Sequence, residues 1–127
     1  MIVLNPRRLA VAAVAVNGSR PATATVHDSH DARLIVFRLA PGQSIPVHRN
    51  AATVILTVLG GRGIVVGEND DEQEVREGDV IVYAPNEAHG MRATSEKLVL
   101  LATIAPRPGS RATRRVETAT VADRETT

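Results

Sequence analysis

Two stretches decide how this chain reads: Pro41–Gly42–Gln43–Ser44–Ile45–Pro46–Val47–His48–Arg49–Asn50, and Gly78–Asp79–Val80–Ile81–Val82–Tyr83–Ala84–Pro85–Asn86–Glu87–Ala88–His89. Each opens on a glycine-containing turn, runs through apolar residues and delivers one histidine. The expectation is that His48 and His89 face each other inside a small β-barrel.

Working outward, Thr53–Leu59 is a near-continuous β-branched and aliphatic run, which predicts a strand buried on both faces. Gly60–Gly61–Arg62–Gly63 predicts a turn, after which Ile64–Val66 returns as a strand. Glu68–Glu72 reads as a polar hairpin tip, Gln73–Arg76 as a short strand and Glu77–Gly78–Asp79 as a tight turn. Val80–Tyr83 and His89–Ala93 are further strands. Thr94–Lys97 predicts a turn before a last apolar strand, Leu98–Ile104. Upstream, Ala22–Val26 and Arg33–Leu39 are strands, separated by His27–Asp28–Ser29–His30–Asp31, which is turn chemistry. Strands at this even spacing, punctuated by Gly, Pro and Asn, predict an all-β sandwich or barrel.

The flanks differ in texture. Asn5 before Pro6 is an N-cap and first-turn pair, alanines follow, and Gly18 is a helix stop; a short helix on the outside of the barrel is expected within residues 5–17. The valines at 11, 14 and 16 also suit a strand. Beyond Ile104 the core signal ends. The expected organisation is an N-terminal segment over 1–20, a barrel over 21–105 and a flexible tail over 106–127, with an arm on a partner subunit as the other reading of the tail.

Composition excludes several classes. A chain of 127 residues fits one domain, and the absence of cysteine removes disulfides and thiolate metal sites. The net charge of +1 gives no field for a nucleic acid or an anionic membrane, so neither is expected as a partner. Phe37 and Tyr83 are the only aromatics, too few for a stacking platform. No apolar run approaches the roughly 20 residues of a membrane span, and Leu9–Val16 is short for a signal peptide; a cytoplasmic protein is expected. Fourteen arginines against one lysine read as the codon bias of a GC-rich bacterial genome.

These residues resemble the cupin superfamily, in particular its small single-domain members. The family's first motif runs Gly, five residues, His-x-His, three or four residues, Glu, six residues, Gly. Here Gly42 leads to His48, Asn50 stands at the second histidine, and the glutamate position falls on Val54 or Thr53. The second motif runs Gly, five residues, Pro-x-Gly, two residues, His, three residues, Asn. Here Gly78 opens it, Ala84 takes the proline place, Asn86 the glycine place, His89 matches and Ala93 replaces the asparagine. The resemblance covers about residues 32–105. It implies a double-stranded β-helix (jelly-roll) barrel and a homodimer whose partner covers an open sheet edge.

Cupin metal sites normally use three histidines and one glutamate, and this chain supplies His48 and His89 only. Three readings follow: a metal-free pocket binding a small organic ligand, a weakly held divalent metal (Zn, Fe, Mn or Ni) with Asn50 and waters, or a competent metal-dependent dioxygenase or isomerase. The first is preferred, with no cofactor and no established catalysis. His89 and Met91 share a strand face, so the pocket is expected to be lined by His48, Asn50, Val54, Leu56, Tyr83, His89 and Met91. His27 with His30, Asp70–Asp71–Glu72 and the Arg111–Arg115 cluster read as solvated surface.

Overall fold

A computed structural model describes residues 1–13 and 18–106. One helix, α1 (Pro6–Ala12), precedes seven strands: β1 (Ala22–Asp28), β2 (Arg33–Leu39), β3 (Ser44–His48), β4 (Thr53–Val66), β5 (Glu72–Arg76), β6 (Val80–Tyr83) and β7 (His89–Ala105). All pairings are antiparallel, and a short 3-10 turn, Glu68–Asp70, joins β4 to β5. The architecture is the all-β double-stranded β-helix. The tail beyond residue 106 and its arginine cluster lie outside the described residues.

Two long strands build the barrel. The first half of β4 pairs with the second half of β7 and with β6, while that half of β7 also takes β2 and, through it, β1. The second half of β4 pairs with the first half of β7 and with β5, and β3 closes on β7 from the other side. Both long strands therefore belong to both sheets, and they change sheet at the same level.

This overturns two expected turns. Gly60–Gly63 does not reverse the chain: β4 runs through it, with register shifts between Val58 and Gly60 and between Gly61 and Gly63. Thr94–Lys97 likewise lies inside β7. The reason is close approach. At Gly61, where φ is +75°, a Cβ would stand 1.8 Å from the Lys97 carbonyl oxygen, and at Gly63 one would stand 2.5 Å from that of Arg92. Glycines here let two bulged strands bend past each other, a use of Gly that in sequence looks the same as a turn.

The core lies between the sheets. Along β4, Val54, Leu56 and Val58 are buried while Thr53, Ile55 and Thr57 are only partly so. The run expected to be buried on both faces is thus alternating, and only one face meets the core. Leu39, Leu56, Val65, Val75, Leu98 and Leu100 join this cluster. His27 and Asp28 belong to β1, so the turn before β2 is shorter than expected.

The helix starts as the sequence indicates: Asn5 accepts the Arg8 backbone N–H at 3.0 Å, with Pro6 following. Its end is set elsewhere. Arg38, on β2, donates to the carbonyls of Ala10, Val11 and Ala13, so the last turn is capped from the sheet and the helix stops at Ala12, before Gly18. The helix packs on β1 and β2 through buried Ala10. Among the described residues no helix is long and apolar enough to cross a membrane.

Gly61→Ala is expected to destabilise the protein by about 3 kcal/mol, because the new methyl meets backbone at a positive φ. Gly67, with open space around it, is the control: Gly67→Ala should change stability by no more than about 0.5 kcal/mol. Equilibrium urea unfolding measures both.

Candidate functional site: the paired histidines

β3 carries Ile45 against the core, and strict alternation would then turn His48 outward. A register shift between Ile45 and His48 reverses this and sets His48 directly opposite His89 on β7. Pro46, which has no backbone N–H, lies within the bulged stretch. The ring centroids of His48 and His89 are 4.1 Å apart with planes tilted by 57°. His89 is buried, at 3% exposure, whereas His48 is exposed. The pair thus sits at the margin of the barrel, with one ring inside and one at the surface, and not wholly within as the sequence reading held.

Each imidazole is held in the same way. His48 Nδ1 lies 2.9 Å from the Pro46 carbonyl oxygen, and His89 Nδ1 lies 3.1 Å from that of Glu87. A carbonyl only accepts, so Nδ1 donates in both rings, and in the neutral imidazole Nε2 is the atom that presents a lone pair. Tyr83 packs on His89 with ring centroids 4.9 Å apart, and its hydroxyl donates to the Val66 carbonyl at 3.1 Å. Burial, with a smaller contribution from Glu87, pushes the Tyr83 phenol up to about 12. Burial also holds His89 below its ordinary 6.5, opposed by the hydrogen bond to Glu87 and reinforced by His48.

The other residues expected to line a pocket take clear places. Val54, Leu56, Tyr83 and Met91 are buried and packed into the core cluster. Val54, not Thr53, is the residue at the glutamate position that faces inward. Asn50 accepts the Ala52 N–H through its side-chain oxygen at 2.9 Å and the Asn86 N–H through its backbone carbonyl at 2.7 Å. It fastens the β3–β4 loop to the 84–87 turn. In that turn Asn86 has a φ of +66°, a conformation Asn tolerates, so it does the work of the glycine it replaces.

Sequence reasoning missed one part of the site. Arg49 donates to both carboxylate oxygens of Glu68 at 2.6 and 3.1 Å and to the Asn86 carbonyl at 2.6 Å, while Glu68 also accepts the Ala88 N–H at 2.8 Å. Three loops are thereby pinned beside His48 and His89. In the sequence Arg49 is only the residue between His48 and Asn50, and Glu68 belongs to a polar hairpin tip; the one signal is that an arginine follows His48 directly. The Arg49 hydrogen bond, then that of Ala88, holds the Glu68 carboxyl below its usual 4.5. Arg92 does the same for Glu72, which it grips through two bonds of 2.8 Å.

A divalent metal finds a poor donor set here. Among the described residues no group of three or more His, Asp or Glu side chains converges, at His48 and His89 or elsewhere, including His27, His30 and the acids of the 68–72 tip. Val54 puts a methyl-bearing chain where a carboxylate would stand, and the Asn50 oxygen is already bonded to backbone. Two neutral imidazoles make a weak site.

The cupin domain family model matches residues 35–104, which is more than half of the chain. The protein is a cupin. Among solved structures it is similar to an RmlC-like cupin protein from Desulfovibrio desulfuricans, with 32% identity and a TM-score of 0.67 over 74% of this cupin and 90% of that chain. It is similar in fold to a conserved protein with a double-stranded β-helix domain from Klebsiella pneumoniae, at 22% identity and TM-score 0.71 over 77% and 87% of the two chains. It also shares its fold with a DMSP lyase from Ruegeria pomeroyi, at 18% identity and TM-score 0.63 over 68% of this cupin and 47% of the lyase. No curated protein matches its sequence.

The depressed His89 value has a consequence for stability. The unfolded chain takes up this proton near 6.5, before the folded chain does, so stability falls as the pH drops through 6.5 towards the depressed folded value. In His89→Gln that part of the slope should be absent. Glu68 acts lower: its contribution is complete above 4.5 and is lost as the pH falls through the depressed value, so Glu68→Gln should flatten only the acid limb. Urea midpoints recorded across pH separate the two.

Proposed function

We propose that this cupin binds a small organic ligand at the His48–His89 pair, in a site that has no resident metal. The observation that carries the reading is His89: a ring 3% exposed, its Nδ1 bonded to Glu87, its Nε2 without a partner among the described residues. A buried polar atom left unpaired costs about 1–3 kcal/mol, so such an atom is retained where something comes to meet it. Tyr83 packs against the His89 ring, and Val54 and Met91 belong to the apolar core, surroundings that suit a small molecule anchored by a few polar groups. The absent carboxylate at Val54 weighs against a metal-dependent dioxygenase or isomerase.

Protein purified without a metal-affinity step should carry well under one equivalent of metal on elemental analysis. His48→Ala should leave folding and thermal stability unchanged, because the ring is exposed. Tight one-to-one binding of iron or manganese under anaerobic titration, lost in the His48→Ala/His89→Ala double variant, would replace this reading with that of a metalloenzyme.

A further inference from the structure

We infer that the ligand of the His48–His89 pair is neutral and binds through adjacent hydroxyl groups that donate to the two Nε2 atoms, as a polyol or a sugar presents them. The inference rests on the ligand-site reading above and adds the chemistry of what is recognised. Both Nδ1 protons are spent on carbonyl oxygens, those of Pro46 and Glu87. What the pair shows a ligand is therefore two acceptors and no donor. Neither Nε2 has a partner among the described residues. The hydroxyl of Tyr83, whose ring packs on His89, cannot serve, since it already donates to Val66.

Two acceptors in rings 4.1 Å apart select among ligands. A carboxylate or ketone would set its own lone pairs against those of the imidazoles. An ammonium could donate, but the His89 side of the site is buried, where a charge is far costlier than a hydroxyl. The Glu68 carboxylate is already engaged by Arg49 and by the Ala88 N–H. Neutral donors remain, and neighbouring hydroxyls supply one to each ring. A site built to accept hydrogen bonds rejects analogues that lack the donor, because the buried His89 Nε2 then stays unpaired.

The test uses full-length protein labelled with 15N-histidine, with its metal content measured first. Long-range 1H–15N spectra should show both rings protonated at Nδ1. The protein is then titrated with propane-1,2-diol and, separately, with propanoate, which has the same carbon skeleton but no donor. The diol should shift both Nε2 resonances and bind at least about tenfold more tightly than propanoate. Metal resident on both imidazoles would overturn the ligand-site reading and this inference together. In metal-free protein, an Nε2-protonated ring, a diol that does not bind, or propanoate binding as well as the diol would overturn this inference alone.

Discussion

The pairing of β4 with β7 is the constraint on which the rest of this cupin depends. Each strand serves both sheets, so each must bend in the middle while staying bonded to the other. The bend is possible because Gly61 and Gly63 leave no side chain where the Lys97 and Arg92 carbonyls pass. Once the two strands are locked, β2, β3, β5 and β6 have fixed edges to join, and the apolar faces of the sheets close on one core. The position of His89, at the start of β7, follows from that lock.

The site is then a matter of local chemistry laid on the frame. The bulge before His48 turns it towards His89, backbone carbonyls fix both tautomers, and the Arg49–Glu68 pair ties the surrounding loops together. Exposed ion pairs contribute little to stability by themselves. This one also holds the Ala88 N–H and the Asn86 carbonyl, so its effect is on where the 84–88 loop lies beside His89. A fold shared with a lyase and with a conserved protein from Klebsiella pneumoniae supplies the scaffold only; what the site accepts is decided by the atoms it presents.

The fold was largely legible in the sequence, because strand spacing, the Gly42 and Gly78 turns and the apolar runs all pointed one way. The misreadings came from residues whose chemistry serves two ends. Gly60–Gly63 allows a turn or a close crossing, and only the partner strand says which. Thr94–Lys97 is polar because it lies exposed on β7, not because the chain turns there. The end of α1 is set by Arg38, twenty-five residues beyond Ala13, and nothing local announces it. In the site, the convergence of His48 with His89 could be expected from the matched stretches. The carbonyl partners of the rings and the Arg49–Glu68 pair depend on loop conformations that spacing does not reveal. Asn86 is the opposite case: a replacement for glycine that the backbone then justifies.

The central claim is that these two imidazoles meet a ligand rather than a metal. X-ray diffraction from crystals grown without chelator, with data collected at the iron, nickel and zinc edges, tests it most directly. No anomalous peak is expected at the pair and, after soaking with a polyol, density for hydroxyl oxygens is expected at hydrogen-bond distance from both Nε2 atoms. An anomalous peak about 2.1 Å from both Nε2 atoms would contradict it.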